Sequence, residues 1–109
     1  MKYKMIVLDL DGTLTNNKKE ITPKTKEALM QAQAKDVHIV LASGRPTYGI
    51  MPLADELELK THGGFILAYN GGNIIDCANN RVLFEQKLDE KLVPRLYEGA
   101  KKTGLQILT

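Results

Sequence analysis

Apolar residues gather in short, dense runs separated by polar stretches. The first run, KMIVLDL from Lys4 to Leu10, shows no alternation and ends in charge. That pattern fits a strand buried on both faces, as in a parallel sheet. A polar stretch, TNNKKEIT, follows. Thr22-Pro23 then reads as an N-cap with proline at the first helical position. The spacing predicts a helix over PKTKEALMQAQAK, with Ala28, Leu29 and Ala32 on one face and Asp36 ending it. VHIVLAS is a second buried strand, so strand, helix and strand make a βαβ unit with a right-handed crossover. GRPTYGIMPLADELEL places Ile50, Leu53, Ala54 and Leu57 at i, i+3, i+4 and i+7, and Pro52 should break this helix into two pieces.

The third strand, GGFILAYNGG, is expected to end at Asn70-Gly71-Gly72. NIID and RVLFEQKL read as two further strands around the turn CANNR. A helix should run from an N-cap at Asp89 to a C-cap at Gly104, with Pro94 as an obstacle, before a last strand, LQILT. The fold class is therefore α/β. A βαβαβ half of a doubly wound parallel sheet gives way to a hairpin, helix and strand, with the change of rhythm near Asn79-Asn80.

Composition narrows the function. With 43% apolar and 26% charged residues, the 109-residue chain suits one modest soluble domain. A formal net charge of +2 calls for neither a nucleic-acid nor a membrane partner. No stretch approaches a transmembrane span, and the N-terminus is too soon acidic for a signal peptide. The one cysteine, Cys77, cannot form an intrachain disulfide, which suits a reducing cytoplasm, and it reads as a small apolar residue.

Chemistry-bearing groups fall at the carboxyl ends of the three parallel strands, where ligands of open α/β sheets bind. Asp9 and Asp11 end the first, Ser43-Gly44-Arg45 the second and Asn70-Gly71 the third. On an ideal strand, residues i and i+2 share a face, and two carboxylates held there repel unless a proton or cation intervenes. Magnesium takes one or two carboxylates plus substrate phosphate oxygens. A carboxylate can also attack phosphorus, with a second carboxyl group as acid and base. Gly12 would let backbone amides approach an anion, and Thr13 offers a hydroxyl to fix the loop. Ser43, and the amides near Gly44 that open a helix through Pro46, suit a phosphoryl group, with Arg45 adding a charge-assisted contact. Plainer readings stand beside these. The aspartates could form a turn, Ser43 a helix cap and Asn70-Gly71 a simple turn. A calcium loop fails because Leu14 occupies the glycine position and a strand precedes it.

DLDGTLT at Asp9 to Thr15 resembles the first motif of the haloacid-dehalogenase-like phosphotransferases. VLASGR at Val40 to Arg45 is similar to their second motif, and AYNGGNIID at Ala68 to Asp76 to the third-strand segment of the Cof-type branch. The resemblance implies a magnesium-dependent phosphatase of small phosphomonoesters such as sugar phosphates. It makes Asp9 the nucleophile and a magnesium ligand, and Asp11 the general acid/base, ligating magnesium through its carbonyl. Ser43 would bind the phosphoryl group with the amides of Leu10 and Gly44, while Gly12 and Thr13 shape the loop. Arg45 and Asn70 would touch substrate or support the loops. Residues 1–80 would be the N-terminal part of the core, and 81–109 the beginning of an α/β cap. Such chains are more than twice this length and supply a lysine and an acidic motif after the cap, neither of which is matched here. The expectation is a truncated chain, inactive alone. The alternative is a non-catalytic fragment or binding module that self-associates through an unpaired sheet edge. The partner implied is a small phosphorylated metabolite, in the cytoplasm.

Overall fold

The computed structural model describes residues 4–86 and 89–104. Five strands form one sheet in the order β1 (Met5–Asp9), β2 (His38–Ala42), β3 (Phe65–Ala68), β4 (Asn73–Asp76), β5 (Arg81–Glu85). The first three are parallel, and β4 and β5 turn back antiparallel. Helix α1 (Pro23–Ala34) links β1 to β2, while α2 (Thr47–Glu56) and the single turn α3 (Leu59–His62) link β2 to β3. The chain therefore has the expected α/β order, with a mixed sheet. The end of the predicted RVLFEQKL strand and all of LQILT include Lys87, Leu88 and residues 105–109, which lie outside the described residues.

Register assigns the faces. Ile6, Leu8, Ile39, Leu41, Ile66, Ala68 and Ile75 point to one side and close a core with Leu29, Ile50, Ala54, Leu57 and Leu59 from the helices. Met5, Val7 and Asp9 point to the other side, beside Val40, Ala42 and Leu67. There the apolar side chains of Met5 and Val7 remain 49% and 59% exposed.

Thr22 caps α1 as expected, accepting from the Thr25 amide, and Pro23 sits in its first turn. Ala28, placed on the core face by periodicity, is exposed instead, and Gln33 is buried. Its Nε2 donates to the Leu57 carbonyl at 2.9 Å, so a polar side chain fastens α1 to the end of α2. Pro52 does not divide the second helix, which runs through it. The ring lies on the exposed side, where water can take the carbonyl that loses its amide. The break falls later, at Glu58, whose left-handed φ of 56° separates α2 from α3. Pro94 is likewise no obstacle. Asp89 caps one 3-10 turn over Glu90–Leu92, and α4 (Val93–Thr103) starts beyond it with Pro94 in its first turn, closing at Gly104.

Candidate active site

The β1 strand stops at Asp9. The chain then folds over itself, with the Leu14 amide donating to the Asp9 carbonyl and the Thr13 and Thr15 amides to the Leu10 carbonyl. The hydroxyl of buried Thr15 also donates to Leu10 at 3.1 Å. The Leu10 side chain is fully buried and anchors this loop in the core. Gly12 has φ of 81°, a left-handed conformation that glycine adopts without the Cβ clash, so the sequence needs glycine there for shape.

At the next strand end, the Ser43 amide continues the parallel ladder onto the Leu67 carbonyl. Its hydroxyl oxygen accepts from the Arg45 amide at 3.0 Å, which leaves the hydroxyl proton available to a ligand. This contact is a local turn rather than a helix cap, because α2 starts at Thr47 with Pro46 at its N-cap. The amides near Gly44 therefore precede the helix instead of opening it. No acceptor among the described residues pairs with the Gly44 amide.

The third strand ends at Ala68, earlier than predicted. Tyr69, Asn70 and Gly71 all have positive φ, of 52°, 56° and 95°. Two hydrogen bonds hold this turn against the second loop, from the Tyr69 amide to Arg45 and from the Asn70 amide to Ser43, each 3.0 Å. The Asn70 carboxamide lies over Gly44, where a Cβ would come within 3.1 Å of Oδ1.

Asp9, Ser43, Gly44, Asn70 and Gly71, with Val7, Ala42 and Leu67, line one open cleft of about 440 Å³. Sequence reasoning missed Val7 and Leu67 as its floor. The signal was available, since Val7 lies two residues before Asp9 and shares its face.

Asp11 departs from the expected shared face. It lies beyond the strand end, half-exposed, and Arg45 grips its carboxylate. Arg45 Nε donates to Oδ2 at 3.1 Å, and Nη2 forms an ion pair with Oδ1. The guanidinium holds the Asp11 carboxyl below the usual carboxylate range by hydrogen bonding and charge, with Lys19 adding to the charge. The charge of Asp11 is thus answered by an arginine.

The oxygen donors at these strand ends suit a hard cation such as magnesium, and Asp9 presents its carboxylate to the cleft. Among the described residues, no group of three or more acidic, histidine or cysteine side chains could hold a metal ion. The donors therefore fit as part of a magnesium site, not as a full set. His38 and His62 take no part in the cleft. His38 Nδ1 lies 2.9 Å from the Gly63 carbonyl. Among the described residues, no helix is long and apolar enough to cross a membrane.

A family model for haloacid dehalogenase-like hydrolases matches residues 6–109. YxeH from Bacillus subtilis is 40% identical over 96 residues, which are 88% of this chain and 36% of that protein. The 5-amino-6-(5-phospho-D-ribitylamino)uracil phosphatase YcsE from the same organism is 35% identical, over 78% of this chain and 32% of its own. A haloacid dehalogenase-like hydrolase from Bacteroides thetaiotaomicron superposes with a TM-score of 0.89 and 54% identity, covering 94% of this chain and 39% of that one. A sugar phosphatase of subclass IIB superposes with a TM-score of 0.75 and 27% identity, over 93% and 38%. The chain spans about a third of the length of the curated relatives it matches.

Proposed function

The chain belongs to the haloacid dehalogenase-like hydrolases, and from that premise we propose that its strand-end cleft is the nucleophile half of a magnesium-dependent site for small phosphomonoesters such as sugar phosphates. One observation carries the reading. Asp9, Ser43 and Gly44, far apart in sequence, meet in one cleft at the ends of adjacent parallel strands.

A carboxylate oxygen of Asp9 attacks phosphorus in line, and the bond to the leaving alkoxide breaks as the aspartyl phosphate forms. Asp11, held ionised by Arg45 in the free chain, takes up a proton as substrate binds and, as acid, gives it to that alkoxide. As base, it then takes a proton from the water that attacks the aspartyl phosphate and frees Asp9. The Ser43 hydroxyl and the amides of Leu10 and Gly44 bind the phosphoryl oxygens, and preorganised donors of this kind carry most of the acceleration in phosphoryl transfer. Gly12 and Thr13 set the loop, and Asn70 braces Gly44. Magnesium, when bound by the Asp9 carboxylate and the Asp11 carbonyl, would neutralise phosphoryl charge.

Residues 1–80 are read as the N-terminal part of the core. Residues 81–109 are read as the start of a cap, a reading supported by the exposure of Asp89 to Gly99 across the 3-10 turn and the first turns of α4. The cytoplasm is the compartment that suits the lone thiol. A second reading, a non-catalytic piece that self-associates, is favoured by the exposed Met5 and Val7 on β1.

The test is phosphate release from a panel of small phosphomonoesters, with and without magnesium. It compares the 109-residue chain with a fusion in which residues 1–109 replace the matching segment of YxeH. The expected result is no turnover by the chain alone and magnesium-dependent turnover by the fusion, which Asp9→Asn abolishes while leaving the circular dichroism unchanged. Hydrolysis by the Asp9→Asn fusion at the parent rate would sink the role of Asp9.

A further inference from the structure

We propose that Arg45 is a positioning residue for Asp11 and not a ligand of the phosphoryl group, an inference that rests on the phosphomonoester reading of the cleft. Asp11 needs such a partner. It stands past the end of β1, its side chain is 56% exposed, and it follows Leu10 into a loop with no strand ladder on both sides to orient it. An exposed carboxylate on a loop samples several rotamers unless a contact outweighs the entropy of fixing it.

Arg45 supplies a two-point contact. Its Nε and Nη2 each meet one oxygen of Asp11, which fixes the plane of the carboxylate as well as its place. Its third nitrogen, Nη1, donates to the Gly49 carbonyl at 3.2 Å, so the guanidinium is tied to the first turns of α2. The Arg45 backbone is held independently of its side chain. Its amide donates to the Ser43 hydroxyl, and its carbonyl accepts from the Tyr69 amide. Arg45 therefore links the loops after all three parallel strands and delivers that rigidity to one carboxylate. The cleft itself is lined by Asp9, Ser43, Gly44 and Asn70, and both the guanidinium and the Asp11 carboxylate it holds stand beside these walls rather than among them. A lysine could keep the charge but not the fork, because an ammonium is a point donor.

The test uses the 109-residue chain, labelled for observation of arginine Nε–H groups and aspartate carboxyl carbons by NMR. The parent should show an Arg45 Nε–H protected from solvent exchange, with the protection lost in Asp11→Asn. Its Asp11 carboxyl resonance should be single and sharp, and averaged in Arg45→Gln, while backbone amides outside the loop stay in place. Arg45→Lys should restore the sharp resonance only in part. An Arg45 Nε–H that exchanges freely and ignores Asp11→Asn overturns the proposal.

Titration with inorganic phosphate separates the roles. Arg45→Lys and Arg45→Gln should change its affinity by less than about twofold, while Ser43→Ala weakens it by about fivefold or more. Equal weakening by the Arg45 variants would make Arg45 a phosphate ligand and overturn the proposal. A parent that binds no phosphate would sink the reading of the cleft, and the Nε–H result alone would then decide for or against the positioning role.

Discussion

Asp11 and Cys77 carry the shifts that a pH experiment can read. Arg45 holds the Asp11 carboxyl below its ordinary value of 3.8, so the folded state favours the ionised form. The stabilisation is present above that value and is lost as pH falls through the lower folded value. Asp11→Asn should therefore be less stable than the parent near neutral pH, with the gap closing in acid, measured by urea unfolding at stepped pH. A gap that stays constant into acid would contradict the ion pair. Cys77 behaves in the opposite sense. Burial first, then the charges of Asp76 and Asp55, raise its thiol from 9.0 to about 11. The stability this lends is present below pH 9 and is lost as pH rises toward 11. A thiol raised that far holds about a hundredfold less thiolate near pH 8, so alkylation should run about a hundredfold slower than for a free thiol. Alkylation at the free-thiol rate would show that the side chain is accessible.

Among the elements, β3 begins under the tightest constraint. A Cβ on Gly64 would lie 2.6 Å from the Ile39 carbonyl oxygen of β2, a backbone atom that cannot step aside. Gly64→Ala should cost about 3 kcal/mol, the upper part of the range for overpacking, read from the urea midpoint. A change below about 0.5 kcal/mol, the level of an ordinary surface substitution, would mean the two strands separate more easily than the packing implies. The sequence made such strands legible because β1, β2 and β3 are dense apolar runs, and it made the start of α1 legible because Thr22-Pro23 is a local signal. It misled where the outcome depends on packing. Pro52 stays within α2 because its ring faces solvent, and the break between α2 and α3 falls at Glu58, a left-handed residue that no local rule marks. The candidate site divides the same way. Motif spacing brought Asp9, Ser43 and Gly44 together, whereas the grip of Arg45 on Asp11 joins residues 34 apart and needs the sheet to be assembled.

For the whole molecule, the exposed side of the sheet sets the expectation. β1 is an edge strand among the described residues, and Met5 and Val7 leave apolar surface beside the cleft uncovered. An open strand edge whose only charge is the terminal Asp9 invites pairing with another chain. The 109-residue chain should self-associate with rising concentration in sedimentation velocity, and Val7→Lys should reduce that association. A monomer at every concentration would count against the edge as an interface. Everything proposed for the site depends on the ends of three parallel strands forming a phosphoryl-binding cleft. Backbone amides of the chain, followed by NMR as inorganic phosphate is added in the presence of magnesium, report on that cleft without requiring turnover. Saturable shifts concentrated at Leu10, Ser43 and Gly44, with the midpoint moved to about fivefold or more higher phosphate in Ser43→Ala, are the expected result. Shifts absent from those residues, or a midpoint unchanged in Ser43→Ala, would contradict it.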